Sequence, residues 1–122
     1  MLIASAKVAP SVAPLAPPSV MSLVRGRLGP QTNDLVLQLR KRRVGKAILG
    51  GMLANICVES HLRDLLEQGF EVVVARDATA APRHPEWGYG YTAALINFRF
   101  LAHAVLSTDE VVTAMNPAGS AS

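Results

Sequence analysis

The segment of this chain best suited to chemistry is Gly50–Ser60, which contains the only cysteine, Cys57. An apolar run at Ala47–Leu49 precedes it, and leucines at helical spacing follow it. This pattern predicts that Cys57 lies where a buried strand passes into a helix. The first turn of a helix presents N–H groups without intrahelical partners and a partial positive charge, which favour a thiolate over a thiol. A nucleophilic cysteine needs such surroundings. On the residues alone, a small buried apolar cysteine remains the alternative.

The residues around Cys57 also resemble those of a known family. Gly51–Ser60 reads Gly-Met-Leu-Ala-Asn-Ile-Cys-Val-Glu-Ser, and Leu65–Val72 reads Leu-Leu-Glu-Gln-Gly-Phe-Glu-Val. With Asn33–Arg40 and Arg76–Thr79, these segments resemble the isochorismatase-like cysteine hydrolases. The resemblance runs from about Gly29 to Met115.

The resemblance implies a mechanism and a set of site residues. The family contains amidases that act on small carboxamides and enzymes that cleave the vinyl ether of isochorismate. Cys57 matches the nucleophile, and the Met52–Leu53 bond matches a cis peptide that helps to aim the N–H groups of Leu53 and Cys57 as an oxyanion hole. Ala54, Asn55 and Glu59 match supporting positions, the last two expected to shape the turn.

The family's catalytic set is Asp, Lys and Cys, and only the cysteine is recognisable here. No apolar strand followed by Asp is recognisable before Gly29, and Leu23–Leu28 lies where the family's lysine is expected. Arg25 and Arg27 can lend positive charge but stay protonated, so they cannot shuttle protons. The chain therefore resembles the C-terminal half of such a hydrolase, with the half that supplies Asp and Lys expected to be missing.

Composition predicts one small domain with two flanking segments. The chain has 122 residues, of which 50% are hydrophobic. Prolines at positions 10, 14, 17 and 18 predict that residues 1–28 are disordered or loosely extended. Residues 29–116 form the predicted half-domain, and residues 117–122 a flexible tail. A single cysteine allows no internal disulfide, which favours a cytoplasmic location.

The spacing of apolar residues predicts an α/β fold. Helices and strands are expected to alternate from Asn33 onwards as helix–strand–helix–strand–helix–strand–helix, with a parallel sheet. The expected strands are Lys46–Gly50, Phe70–Ala75 and Ala104–Leu106. The prediction is thus a truncated doubly wound, Rossmann-like three-layer sandwich, with about three parallel strands and flanking helices.

Other signals suggest few partners. The basic run Arg40–Arg43 accounts for much of the net charge of +3, but it is explained by a helix C-terminus, and no recognition motif accompanies it. We expect no nucleic acid as a partner and no membrane span. We also expect no cofactor, and a lone cysteine with scattered histidines does not make a zinc site. His61 lies four residues after Cys57, so a Cys–His pair is conceivable, although a histidine facing solvent or filling a packing gap is more common.

Two further features bear on assembly. The loop His84–Tyr91 gathers the only Trp and both Tyr residues, and can form either a subunit contact, which we favour, or the mouth of a pocket. Without the family's preceding strand, the strand Lys46–Gly50 is expected to have an unpaired edge, which favours a homo-oligomer. The sequence leaves two functions open: hydrolysis of a C–N bond of a small amide, impaired where Asp and Lys are lacking, or a non-catalytic module that associates with itself.

Overall fold

The structure, a computed structural model, describes residues 2–6, 21–23 and 34–116. Along the chain the strands are β1 (Leu2–Ala6), β2 (Met21–Leu23), β3 (Lys46–Met52), β4 (Glu71–Ala80), β5 (Arg83–His84), β6 (Gly88–Tyr89) and β7 (Ala104–Leu106). The α-helices are α1 (Leu35–Lys41), α2 (Glu59–Glu67), α3 (Gly90–Leu101) and α4 (Thr108–Met115), and a π-helical segment, Ala54–Val58, joins β3 to α2. None of the helices in the described part of the chain is long and apolar enough to span a membrane.

The main sheet has the strand order β2-β1-β3-β4-β7. Strands β3, β4 and β7 are parallel, and this is the three-stranded parallel sheet that the sequence predicts. Parallel strands are normally covered on both faces and read as continuous apolar runs. The order of helices and strands and the parallel pairing confirm the α/β fold class.

The core is divided between the two faces of the sheet. Alternate residues of β3 and β4 point to opposite faces, because successive side chains of a strand alternate. Ala47, Leu49, Val72 and Val74 pack with residues of α1, α2 and α3 in the larger cluster. On the other face Ile48, Val73 and Ala75 pack with Val111 of α4. The result is the predicted three-layer arrangement, with one face covered by three helices and the other by α4.

The prediction of an unpaired edge at Lys46–Gly50 is wrong. β1 pairs antiparallel with β3 from Gly50 to Lys46, and β2 pairs antiparallel with β1. The prolines at positions 10 to 18 lie between these two strands, so neither strand contains a residue that lacks a backbone donor. The other residues of 1–28, and residues 117–122, lie outside the described residues.

The ends of the helices have recognisable local signals. α2 ends at Glu67 and Gly69 follows in the left-handed conformation, with φ of 86°. Ser107 and Glu110 form a capping box at the start of α4. At the end of α1 the left-handed residue is Arg43. Asp34 occupies the N-cap position of that helix.

Candidate active site

Cys57 lies at the junction of β3 and α2, as the sequence predicts. β3 ends at Met52, Leu53 is extended, and the π-helical segment begins at Ala54. Cys57 is the fourth residue of this segment and is partly exposed. The N–H groups of a helix's first turn lack the intrahelical partners that later residues have. The thiol is therefore carried by a helix N-terminus at the carboxyl end of a central parallel strand.

The backbone at this junction has two unusual features. The Met52–Leu53 peptide bond is cis, as the resemblance implies. The Leu53 carbonyl accepts hydrogen bonds from the N–H groups of Ile56 and Val58, both at 3.1 Å. These two residues flank Cys57, and the bond from Val58 spans five residues, which is the pattern of a π-helix. The wide turn brings Leu53 and Cys57, the two expected oxyanion donors, into one backbone loop.

His61 supports the backbone of this loop from within the core. Its side chain is fully buried, and its Nδ1–H donates to the Cys57 carbonyl at 2.7 Å. This bond places the proton on Nδ1 and leaves Nε2, which is buried and has no partner among the described residues, as an acceptor. Burial lowers the pKa of His61. The histidine thus contacts the carbonyl of Cys57 rather than its thiol, and it does not face solvent.

Glu59 joins α2 to α3 instead of shaping the turn. Both of its carboxylate oxygens accept from Asn97 Nδ2 at 3.2 Å, and Oε1 also accepts from Arg63 at 3.0 Å. Its side chain is largely buried, with 15% exposed. The bridge holds the first turn of α2, two residues after Cys57, against the middle of α3. Glu59 therefore links the helix that follows Cys57 to α3.

Asn55 rests against the start of α3. A Cβ atom built on Gly90 would overlap the Asn55 side chain, lying 2.8 Å from its Cγ and 3.2 Å from its Oδ1. Glycine at position 90 is therefore what lets the Asn55 amide approach the helix N-terminus. Asn55 is exposed and lines the cavity described below. Asn55 was predicted from the sequence as a supporting residue, but its contact with Gly90 was not.

One polar group near the site was missed by sequence reasoning. Thr79 Oγ1 is buried and has no hydrogen-bond partner within the described residues. Thr79 pairs with Gly51 across β3 and β4, one residue before Met52. A buried polar atom without a partner is unusual and requires an explanation. Apart from the resemblance at Arg76–Thr79, its position at the carboxyl end of a parallel strand was the only signal in the sequence.

A cavity of about 420 Å³ opens beside the π-helical segment. Asn55 and Ile56 form one side of the cavity, and the β5–β6 hairpin and the beginning of α3 form the other. This is the carboxyl end of β3 and β4, where open α/β sheets bind ligands. The aromatic loop of the sequence thus forms a cavity wall, and its alternative role as a subunit contact stays a prediction.

The remaining polar residues of this edge have structural partners. Asp77 Oδ1 accepts from the backbone N–H and the hydroxyl of Thr108, both at 2.7 Å, and these bonds lower its pKa. It therefore holds the start of α4. His103 accepts from the Val72 N–H at 3.1 Å and fixes the end of α3 to β4. Within residues 34–116, no three His, Cys, Asp or Glu side chains converge on a point that a metal ion could occupy.

Comparison with known proteins identifies the family of the chain. A model of the isochorismatase domain matches residues 5–110. The chain is 48% identical over 48 residues to YecD of Escherichia coli O157:H7, an uncharacterised isochorismatase family protein, covering 39% of this chain and 26% of that one. It is 35% identical over 86 residues to the ureidoacrylate amidohydrolase RutB of Pseudomonas syringae pv. syringae, covering 69% of this chain and 33% of that one.

Solved structures give the same result. A cysteine hydrolase of Pseudomonas syringae pv. phaseolicola superimposes with a TM-score of 0.64 and 27% identity, over 70% of this chain and 43% of that one. The nicotinamidase PncA of Bacillus subtilis superimposes with a TM-score of 0.57 and 30% identity, over 68% and 44%. The chain spans less than half the length of each of these four proteins. Because the family model matches most of its residues, this chain belongs to the isochorismatase family.

Proposed function

We propose that this protein hydrolyses a C–N bond of a small amide, with Cys57 as the nucleophile. The observation that carries the proposal is the position of Cys57, in the first turn of a helix at the carboxyl end of a parallel strand, directly after two residues that line an open cavity, Asn55 and Ile56. The similarity to an amidohydrolase and a nicotinamidase supports the same chemistry. The Asp and Lys of the family remain unassigned.

The chemistry proceeds in two steps. The thiolate sulfur of Cys57 attacks the carbonyl carbon, and the N–H groups of Leu53 and Cys57 stabilise the oxyanion of the tetrahedral intermediate. Collapse of that intermediate breaks the C–N bond and leaves a thioester, while the nitrogen takes up a proton and departs as ammonia or an amine. Water then attacks the thioester, which releases the carboxylic acid and the thiol.

Proton transfer is the step for which the described residues provide the fewest catalytic groups. No side chain within residues 34–116 hydrogen-bonds to the Cys57 thiol. The resemblance assigns this role to an Asp and a Lys, and general acid–base catalysis typically contributes about 10²–10⁴-fold to a rate. A chain without those partners is expected to be slower by about that factor.

The test is ammonia release from a panel of small primary amides, with iodoacetamide labelling of Cys57 followed by mass spectrometry. The wild-type protein should release ammonia, and Cys57→Ser should not. Thr113→Ser, an exposed change on α4, is the matched control and should keep the wild-type rate. Ammonia release that survives in Cys57→Ser would show that the nucleophile is wrong.

The alternative function is a non-catalytic module that associates with a second copy of itself. It is favoured by the large apolar side chains that α3 leaves in solvent, Ile96 at 54% and Phe100 at 83% exposed. Multi-angle light scattering of the wild-type protein should then give a dimer or larger species, and Phe100→Lys should reduce it to a monomer. Val112→Lys, which changes an exposed apolar residue of α4, is the control. A wild-type monomer would rule this function out.

A further inference from the structure

Among the described residues, His61 is the only polar or charged residue that is buried. Its Nε2 has no partner there, and burial lowers its pKa, which keeps the ring neutral near neutral pH. An imidazole in this place is less favourable than an apolar side chain, because its unpartnered nitrogen has lost its hydrogen bonds to water. What the histidine adds is the bond from Nδ1–H to the Cys57 carbonyl at 2.7 Å.

This bond acts on a peptide group that is held at both ends. The carbonyl of the Cys57–Val58 peptide group accepts from His61, and its N–H, that of Val58, donates to the Leu53 carbonyl at 3.1 Å. The carbonyl and the N–H of a trans peptide group point in opposite directions. The two bonds together therefore fix the rotation of the peptide group that follows Cys57.

The same arrangement separates the N–H of Cys57 from its ordinary helical acceptor. In an α-helix the Leu53 carbonyl would accept from the N–H four residues later, which is that of Cys57. Within residues 53–58 it accepts instead from the two neighbours of Cys57, Ile56 and Val58. Rotation of the Cys57–Val58 peptide group would allow the common α-helical pattern to replace the rarer π-helical one. The N–H of Cys57 would then be bound to Leu53 and unable to donate to an oxyanion.

We propose that His61 is a positioning residue for the hydrolysis, because it holds the Cys57–Val58 peptide group in the π-helical arrangement and so keeps the Cys57 N–H available to the oxyanion. It acts through the backbone and does not contact the thiol. This inference rests on the proposed function, since it concerns an oxyanion donor of the same site. Loss of one such donor lowers kcat by about 10²–10³-fold, so a misdirected donor should cost at least about tenfold.

Two variants of equal size form the test. His61→Thr and His61→Val leave the same space in the core, but a threonine hydroxyl on a helix can bond to the carbonyl four residues before it, and valine has no donor. His61→Thr should therefore keep what His61→Val loses. Leu65→Val, which shortens another fully buried side chain of α2, is the control for a loosened core.

The probe is butyraldehyde, to which a thiol adds. The Cys57 sulfur bonds to the aldehyde carbon, the C=O π bond breaks and the thiol proton passes to the oxygen, which then lies where the oxyanion of the hydrolysis would lie. Binding is measured as protection of Cys57 from iodoacetamide, with mass spectrometry as the readout. Iodoacetamide reacts at its CH₂ group with loss of iodide, so alkylation alone needs no oxyanion donor.

His61→Val should bind butyraldehyde at least about tenfold more weakly than the wild-type protein, while its alkylation rate without aldehyde stays within about twofold. His61→Thr and Leu65→Val should each bind the aldehyde within about threefold of the wild-type protein. Nitrogen NMR of the wild-type protein adds a test that needs no variant, because His61 should carry its proton on Nδ1. The opposite tautomer, no protection of the wild-type protein, an unchanged affinity in His61→Val, or an equal loss in His61→Thr or Leu65→Val would each overturn the proposal.

Ammonia release is measured separately, so that the two proposals can fail independently. Aldehyde binding that depends on His61 without any ammonia release by the wild-type protein contradicts only the proposed function. If ammonia is released, His61→Val should lower kcat with little change in KM, because the oxyanion forms only in the reaction. Ammonia release with an unchanged kcat in His61→Val contradicts only this inference.

Discussion

Gly90→Ala tests the contact between Asn55 and the start of α3. Gly90 is not among the residues with positive φ, so alanine fits the backbone. Replacing glycine with alanine at a compatible position stabilises a protein by about 0.4–1 kcal/mol. Here the new methyl group would overlap the Asn55 amide, and overpacking of this kind costs about 1–3 kcal/mol. Because Asn55 is exposed and can turn away, we expect a net loss of about 0.5 kcal/mol, from the lower end of that range.

The sign should reverse when Asn55 is shortened. Asn55→Ala removes all three atoms that the methyl group meets, so Gly90→Ala in that background should stabilise by about 0.5 kcal/mol. The two single changes and the double change form a cycle with a coupling of about 1 kcal/mol, measured by urea unfolding with circular dichroism at 222 nm as the signal. Gly45→Ala, where nothing lies within 4 Å of the new Cβ, is the control and should respond equally in both backgrounds. If Gly90→Ala has the same effect with and without Asn55, the described contact does not exist.

Three other predictions concern stability. Burial lowers the pKa of His61 below 6.5, so the unfolded chain binds more protons than the folded one, and the free energy of unfolding should fall as pH drops below 6.5. Urea unfolding at several pH values should show that His61→Leu loses this dependence. His84→Gln, which changes an exposed histidine, should keep it. The Ser107 N–H and then the Arg76 side chain lower the pKa of Glu110 from 4.5 to about 2, so this stabilisation is present above pH 4.5 and is lost as pH falls towards 2. In thermal melts, Glu110→Gln should flatten that acid slope, and an unchanged slope would contradict the assignment. Glu59→Ala should lower the free energy of unfolding by about 1–3 kcal/mol, because Asn97 loses its acceptor. If the losses for Glu59→Ala and Asn97→Ala simply add in the double variant, the two side chains act independently.

Much of the fold and the position of Cys57 could be predicted from local patterns. The apolar runs at Ala47–Leu49 and Val72–Ala75, with helical spacing between them, require a parallel βαβ unit, and Cys57 must lie where its first strand ends. The capping box at Ser107 and the left-handed Gly69 also depend only on nearby residues. The predicted fold class and element order are confirmed for these reasons.

Long-range contacts were decided only by the tertiary structure. Pairing of Leu2–Ala6 with β3 joins residues at least forty positions apart, and no local pattern in a proline-rich segment predicts it. The bond from His61 to the Cys57 carbonyl depends on which side of α2 is buried, and the Glu59–Asn97 bridge depends on how α3 crosses α2. The hairpin that brings Arg83 and His84 beside Asn55 likewise depends on where β4 ends relative to β3. Sequence therefore determined the helices and parallel strands from α1 to α4 and the position of Cys57, because periodicity and caps act over a few residues, whereas packing alone decided which side chains surround Cys57.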